Sequence, residues 1–84
     1  MAVDNKKWEI YLVECKDGSL YTGITNNVRN RMDAHISGKG SKYVLARGFS
    51  RLLARKLCFD KSDACKKEYL VKKLSRDEKI EWFR

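Results

Sequence analysis

Residues 8–25 read WEIYLVECKDGSLYTGIT and carry the strongest structural signal in the chain. Residues 8–15 alternate between two sets of side chains with a period of two, which is typical of a β-strand. The segment KDG at residues 16–18 is a turn signal, and residues 20–24 form a second run suited to a strand. The pattern therefore predicts a β-hairpin.

The length of the hairpin loop determines which side chains share a face of the sheet. A two-residue loop places Tyr11 and Tyr21 on opposite faces. A three-residue loop has Gly18 in the left-handed conformation and pairs Tyr11 with Gly23, so that both tyrosines share a face. Both loops are compatible with the sequence, and the three-residue loop is favoured.

Apolar residues at helical spacing predict a helix after the hairpin. Asn26 and Asn27 are both candidates for its N-cap. The apolar stripe consists of Val28, Met32 and Ile36. Arg31 and His35 stand four residues apart in the sequence, so they project from one shoulder of this stripe. The two glycines that follow are expected to end the helix.

A loop and a third strand come after this helix. The loop contains Lys39, Lys42 and Tyr43. Residues 51–59 are expected to form the strand, because apolar residues alternate with other side chains there. Its apolar face consists of Leu53, Leu57 and Phe59.

Two further helices complete the predicted fold. Asp60 or Ser62 caps the first, which is expected to run to about residue 74. Its apolar arc consists of Ala64, Leu70, Val71 and Leu74. Residues 75–78 read SRDE, a capping-box pattern that opens a short final helix. The order β-β-α-β-α-α predicts one α/β domain over residues 1–84, a small three-stranded antiparallel sheet flanked by helices.

The composition favours a polyanionic partner. The chain has 84 residues and a formal net charge of +8, from 19 Lys and Arg against 11 Asp and Glu. This density of positive charge favours nucleic acid, and a basic composition without a specific role is the alternative. A membrane partner is not expected, because no stretch is long enough to span a bilayer and no basic helix has a broad apolar face.

The cysteines indicate the compartment. Cys15, Cys58 and Cys65 are odd in number and show no CxxC spacing, so neither a zinc site nor a disulfide framework is expected. Residues 1–7 lack the apolar run of a signal peptide. Free thiols suit a reducing environment, and these features together predict a cytoplasmic protein.

Two short motifs and the residues that follow them resemble the GIY-YIG nuclease family. Residues 9–11 read EIY and residues 21–23 read YTG, in place of the family's Gly-Ile-Tyr and Tyr-Ile-Gly strands. Arg31 and His35 match the family's helix, and Glu68 is the counterpart of its glutamate on a later helix. The resemblance runs from residue 8 to the end of the sequence and implies the family's fold and a nuclease activity.

Some features of the family pattern differ here. Residues 68–75 read EYLVKKLS and resemble the short, stand-alone bacterial branch of the family. Glu9 replaces the first glycine and Thr22 replaces an isoleucine, and neither change removes a reactive group. The separate DNA-binding domains of many family nucleases, and the catalytic asparagine of some branches, have no clear counterpart in this sequence.

The resemblance implies a role for each matched residue. Glu68 would hold one Mg²⁺ or Mn²⁺, which needs only one or two carboxylates when water and phosphate complete its shell. Arg31 would bind phosphate through its planar guanidinium group. Tyr11 is expected to act as general base with Tyr21 as its partner, or the two roles are exchanged. His35 would share in proton transfer or bind phosphate.

Each of these residues also has a purely structural interpretation. Glu68 can pair with Lys72, one helical turn later. Arg31 can be an exposed helix arginine, and the two tyrosines can simply pack in the sheet, where tyrosine is common. A single histidine beside an apolar stripe can be a half-buried packing residue.

Basic and aromatic residues outside the motifs are candidates for nucleic-acid contacts. They are Lys39, Lys42, Tyr43, Arg47 and Lys72. A positively charged loop can follow the nucleic-acid backbone while an aromatic side chain stacks on a base. A solvated, flexible loop is the alternative.

Two functions are compatible with these residues. The first is a metal-dependent endonuclease that hydrolyses phosphodiester bonds in DNA, at branched, nicked or damaged structures such as those of DNA repair. DNA is favoured over RNA, and a partner protein could direct the choice of target. The second is a non-catalytic nucleic-acid-binding module that retains the fold and the basic surface.

Overall fold

Helices cover both faces of a three-stranded antiparallel sheet. The computed structural model describes residues 7–84 of the chain. Its elements in chain order are β1 (Glu9–Cys15), β2 (Leu20–Thr25), α1 (Val28–Ile36), α2 (Lys42–Arg47), β3 (Phe49–Leu57), α3 (Lys61–Lys72) and α4 (Arg76–Trp82). The strand order is β2-β1-β3, and both strand pairs are antiparallel. The predicted fold class, a small three-stranded antiparallel sheet flanked by helices, is confirmed.

The hairpin has the three-residue loop that the sequence favours. Gly18 has a φ of +85°, a left-handed conformation that glycine adopts without steric cost. The Cys15 N–H donates to the Ser19 carbonyl oxygen at 2.9 Å and closes the loop. In the resulting register Tyr11 lies opposite Gly23, so Tyr11 and Tyr21 share a face of the sheet.

The central position of β1 buries its side chains in both directions. Successive residues of a strand point to opposite faces, so each face receives its own apolar cluster. Under α3 and α4, the buried cluster consists of Ile10, Cys58, Ala64 and Val71. Under α1 and α2, it consists of Tyr11, Val13, Cys15 and Val44. One tyrosine of the predicted site is thus a core residue of the second cluster.

β3 lies at an edge of the sheet and is joined to β1 by two ion pairs. Arg51 Nε lies 2.9 Å from Glu14 Oε1, and Arg55 Nε lies 2.9 Å from Glu9 Oε1. Both arginine side chains are more than half exposed, so each pair contributes at most about 1 kcal/mol. The pairs favour the observed register more than they stabilise the fold.

The third strand and its apolar face differ from the prediction. β3 begins two residues earlier than expected and ends at Leu57, where its last partner on β1 is Glu9. One further backbone hydrogen bond follows, from the Cys58 N–H to the Trp8 carbonyl oxygen at 2.8 Å, and the strand ends there. Leu57 and Phe59 were expected to face the core with Leu53, but they are 55% and 92% exposed, so this expectation was wrong.

The loop that was expected between the first helix and the third strand contains a short helix, α2. Ser41 caps it, because the Ser41 hydroxyl oxygen accepts from the Val44 N–H at 3.3 Å. Lys42 and Tyr43 therefore lie on a helix. Val44 is fully buried, so packing against the sheet holds this segment in place.

The predicted helix caps are present, but parts of the predicted apolar faces are wrong. Asn27 caps α1 and Asp60 caps α3, and each is one of the two candidates that the sequence offers. The predicted Ser75–Glu78 capping box opens α4. The apolar stripe of α1 was partly wrong, because Ile36 is 66% exposed and His35 is buried instead. In the arc of α3, Leu70 is likewise exposed.

Within residues 7–84, no helix combines the length and apolar character that crossing a membrane requires.

Candidate active site

A buried hydrogen-bond chain joins α1 to β1. Arg31 Nε donates to Tyr11 Oη at 3.4 Å, and Tyr11 Oη lies 2.9 Å from His35 Nε2. A guanidinium group can only donate, so the tyrosine oxygen accepts from Arg31. The tautomer of His35 determines whether Tyr11 Oη or His35 Nε2 donates the proton of the second hydrogen bond. Arg31 and His35 are four residues apart on α1, and this spacing lets both side chains reach the hydroxyl group of Tyr11.

Burial and the neighbouring groups determine the protonation states of these three hydrogen-bonded side chains. The pKa of Tyr11 is raised, because burial disfavours the phenolate more than the hydrogen bond from Arg31 favours it. The pKa of His35 is lowered by burial and by the nearby charge of Arg31. At neutral pH the structure therefore contains a neutral Tyr11 and a neutral His35 beside a cationic Arg31.

Tyr21 lies between these hydrogen-bonded side chains and the solvent. Its ring centroid is 6.4 Å from that of Tyr11 and 5.7 Å from that of His35. On its outer side it is 5.7 Å from the ring of Tyr43, and Lys72 Nζ is 5.4 Å from its centroid. Tyr11 is fully buried, whereas Tyr21 is partly exposed. Of the two tyrosines, only Tyr21 is open to a ligand in this conformation.

Glu68 projects from α3 towards the same residues. Its charge contributes, as one of the weaker causes, to the raised pKa of Tyr11. Glu68 Oε2 also lies 3.4 Å from Lys72 Nζ, so the ion pair named as the structural alternative is present. The Glu68 side chain is 25% exposed, and its carboxylate remains accessible from the solvent.

One carboxylate is a sparse but sufficient donor set for the metal that the family resemblance implies. Among residues 7–84, no three His, Cys, Asp or Glu side chains cluster so that they could hold a metal ion. Mg²⁺ typically keeps several waters and takes one or two carboxylates together with substrate phosphate. Glu68 therefore fits a site that water and phosphate complete, and it does not fit a closed structural metal site.

The imidazole of His35 is held by close packing. The Phe49 ring is stacked on it, with centroids 6.2 Å apart and planes 4° apart. On another side the ring meets Gly40, where any Cβ would overlap His35 Nδ1. Within the described residues His35 Nδ1 has no hydrogen-bond partner, although it is buried. The position of His35 thus depends on Phe49 and Gly40, which the sequence analysis did not identify.

The burial of His35 predicts a pH-dependent stability. His35 is the only histidine, and its pKa in the folded state lies below the ordinary value of 6.5. The unfolded chain therefore binds this proton at a higher pH than the folded chain does. We expect the free energy of unfolding to fall by up to about 1.4 kcal/mol per pH unit as the pH drops below about 6.5.

Denaturant titrations between pH 7.5 and pH 5, a range of about 2.5 units, would measure this slope. His35→Phe should lower stability at every pH but remove the slope in this range. The carboxylates with lowered pKa values, Asp17, Asp63 and Glu78, lose their contribution only at more acidic pH. Parallel profiles for the two proteins would contradict the assignment.

The candidate nucleic-acid contacts fall into three groups. Tyr43 and Lys72 flank Tyr21, as described above. Lys39 and Lys42 are exposed on either side of Gly40, near the site but without contact to its tyrosines. Arg47 is held by Asp17, with Nη1 2.8 Å from Oδ2, and its guanidinium carbon lies 4.5 Å from the Tyr43 ring centroid. Arg47 therefore supports Tyr43 in this structure.

Comparison with known proteins identifies a family. Residues 7–81 match the family model described as the GIY-YIG catalytic domain. A UPF0213 protein of Desulfotalea psychrophila is 45% identical over 86% of this chain and 66% of its own length. A UPF0213 protein of Oceanobacillus iheyensis is 45% identical over 84% of this chain and 83% of its own length. The chain thus spans about two thirds of the first relative and most of the second.

A solved structure shows the same fold. The solution NMR structure of the UPF0213 protein BH0048 from Bacillus halodurans is 47% identical to this chain. The superposition covers 90% of this chain and 81% of the other, with a TM-score of 0.55. The names of these relatives specify neither a substrate nor a metal, so the chemistry has to be argued from the residues of this chain.

Proposed function

This chain belongs to the family of GIY-YIG catalytic domains, a nuclease family, and we propose that it is a metal-dependent endonuclease that hydrolyses phosphodiester bonds in DNA. The observation that supports this proposal most strongly is the convergence of β1, β2, α1 and α3 on one place. Tyr11 contacts Arg31, His35 and Tyr21 there. Tyr21 also lies against His35, and Glu68 approaches from α3.

We propose the exchanged roles for the two tyrosines. Tyr21 is partly exposed, so it can meet the attacking water or the phosphate and act as the catalytic tyrosine. Tyr11 is enclosed, and burial raises its pKa, which makes it a poor direct base. It would instead act as a positioning residue, because its hydroxyl group is hydrogen-bonded to both Arg31 and His35 and holds these side chains in place.

Arg31 and Glu68 would contact the substrate phosphate from two sides. The guanidinium group of Arg31 has further N–H donors beyond the Nε that is bonded to Tyr11, and these can bind phosphate oxygens as charge develops. A Mg²⁺ or Mn²⁺ held by Glu68 would act as a Lewis acid and stabilise the leaving oxygen. Lys72 would have to leave the Glu68 carboxylate for that ion to bind.

The DNA strand would cross the site along exposed basic and aromatic groups. Tyr43 lies beside Tyr21 and is 37% exposed, so it can stack on a base. Lys39 and Lys42 would contact phosphates on one side of the site and Lys72 on the other. The net charge of +8 would add a long-range attraction that salt weakens. We propose that the chain works as one catalytic domain, with a partner protein directing its choice of target.

A cleavage assay tests this function. Labelled single-stranded, duplex, nicked and branched DNA, and an RNA of the same sequence, would be incubated with the protein in Mg²⁺, Mn²⁺ or EDTA. Cleavage of DNA that requires the metal ion supports the proposal. Intact substrates under every condition, with salt-sensitive binding, would instead support the non-catalytic binding module. The Glu68–Lys72 ion pair is the observation that favours this second function.

The roles of the tyrosines can be separated by two conservative variants. Tyr21→Phe is expected to lower the single-turnover cleavage rate by about 10² to 10⁴-fold, since it removes a proton-transfer group. Its stability should stay close to that of wild type. Tyr11→Phe leaves His35 Nε2 buried without a partner, so it should cost about 1–3 kcal/mol of stability as well as activity. Full activity of Tyr21→Phe, with Tyr11→Phe inactive but equally stable, would overturn the exchange.

A further inference from the structure

A groove opens beside Tyr21 at the free edge of β2. It is lined by Leu20, Tyr21, Thr22, Tyr43, Lys72 and Lys79. Tyr43 and Lys72 were already candidates for nucleic-acid contact. Lys79 was not, and it enters the groove from α4, the element most distant from the family motifs.

Lys79 has the properties of a cation whose partner is not part of the described chain. Within residues 7–84 it forms no ion pair, whereas Lys72, the other cation of the groove, pairs with Glu68. Burial lowers its pKa, and the charge of Lys72 lowers it further. The ammonium groups of Lys72 and Lys79 therefore repel each other across the groove, and that of Lys79 is partly desolvated. An anion placed between them would relieve this repulsion and would meet a cation that has already lost part of its water.

The position of Lys79 is fixed by the local fold. The Ser75 hydroxyl accepts from the Glu78 N–H at 3.3 Å, and the Glu78 carboxylate accepts from the Ser75 N–H at 2.8 Å. This capping box sets the phase of α4, and Trp82 and Phe83 pack against the core on another side. The ammonium group is therefore carried to the groove on a rigid element.

The lining of the groove combines apolar, aromatic and cationic residues. Leu20 and Thr22 form its wall on β2. The aromatic rings of Tyr21 and Tyr43 border the same space, with their centroids 5.7 Å apart.

We propose that Lys79 and Lys72 form a phosphate subsite that binds the nucleic-acid strand at the phosphodiester next to the one held at Tyr21. This inference rests on the proposed function, since it places a neighbouring phosphate of the same substrate. Lys79 is a binding residue in this proposal and does not take part in proton transfer. Its contact would hold the strand in register, so that the bond to be cut lies between Arg31 and Glu68.

Binding in EDTA tests the subsite independently of cleavage. The affinity of a short labelled DNA strand would be measured across a series of salt concentrations for wild type, Lys79→Gln and Lys79→Arg. Loss of one phosphate contact is expected to flatten the slope of log K against log salt by about 0.7 to 0.9. Lys79→Arg should retain the wild-type slope, because it keeps the charge.

Lys66→Gln is the matched control, since it removes the same charge from an exposed position of α3 outside the groove. Its slope should stay close to that of wild type. Equal slopes for Lys79→Gln and wild type, or equal flattening in both glutamine variants, would overturn the subsite. Thermal unfolding of each variant would confirm that the fold is intact. Failure of wild type to cleave DNA would count against the nuclease and leave this measurement valid.

The source of the phosphate is distinguished by NMR. The side-chain signals of Lys79 in ¹⁵N-labelled protein would be followed during titration with the DNA strand and, separately, with inorganic phosphate. A shift with DNA but not with an equal concentration of inorganic phosphate supports a strand-binding subsite. A shift with inorganic phosphate alone would show a free-anion site and overturn the proposal.

Discussion

Glu68→Gln is expected to lower the metal-dependent cleavage rate by about 10³-fold or more. The amide keeps the shape of the side chain but loses the charged oxygen that would hold the metal ion. Lewis-acid stabilisation of the transition state is worth several kcal/mol, and about 1.4 kcal/mol corresponds to a factor of ten in rate. Single-turnover cleavage in a Mg²⁺ titration would measure the loss. Higher Mg²⁺ should not restore the wild-type rate.

Asp63→Asn provides a matched control for this change. Asp63 is on the same helix and pairs with Lys67 at 2.8 Å, just as Glu68 pairs with Lys72 one turn later. Asp63 also accepts from the Phe59 N–H, so its loss should cost at least as much stability as the loss of Glu68. Cleavage should survive in Asp63→Asn. If Glu68→Gln also cleaves at the wild-type rate, Glu68 is only the ion-pair partner of Lys72.

Gly23→Ala is expected to destabilise the fold by about 1–3 kcal/mol, the usual cost of overpacking a core. A Cβ on Gly23 would overlap the hydroxyl oxygen and the ring of Tyr11. Tyr11 cannot easily move away, because Arg31 and His35 hold its hydroxyl group. The displaced phenol would also shift Arg31, and a misplacement of about 1 Å can cost about 10²-fold in rate. Denaturant unfolding and single-turnover cleavage would measure the two effects.

Gly18→Ala separates backbone strain from this overlap. Gly18 has a positive φ but open space around it, so alanine there should cost about 1–2 kcal/mol through backbone strain alone. It lies at the far end of the same hairpin, and cleavage by the folded fraction should be unchanged. If the two alanine variants lost the same proportion of activity, the contact between Gly23 and Tyr11 would have no special role.

The hairpin could be predicted from the sequence because its information is local. The turn residues restrict the loop to two lengths, and only the longer one places both tyrosines on one face. The helix caps are also local, since each side chain accepts a hydrogen bond from a residue three positions later. The sequence specified Ser75 directly and narrowed each of the other two caps to two candidates. These signals set the order of the main elements.

Other features depend on contacts between distant segments. α2 is short and has no strong periodic pattern, and burial of Val44 against the sheet is what holds it. Ile36 and His35 are adjacent, and the sequence placed the more apolar one in the core. The hydrogen bond between Tyr11 Oη and His35 Nε2 favours the opposite arrangement, because it satisfies one of the two ring nitrogens inside the protein.

The candidate site could be predicted only in part, because it also depends on contacts between distant segments. The spacing of Tyr11, Tyr21, Arg31 and His35 along the hairpin and α1 carried the family resemblance, and the structure brings these side chains together. Phe49 and Lys79 reach the region from β3 and α4, and no local pattern marks either residue. Their positions follow from the sheet order and from the phase of the last helix.

The basic edge of β3 bears on how the protein behaves when it is concentrated. An edge strand presents unpaired backbone groups that can recruit the strand of another molecule and start aggregation. Arg51, Arg55 and Lys56 stand exposed along this edge, the two arginines beside Glu14 and Glu9 of β1. Antiparallel pairing of two copies would bring the cations of both copies close together. The same positive charge that favours DNA thus also provides colloidal protection, and this protection weakens as salt screens it.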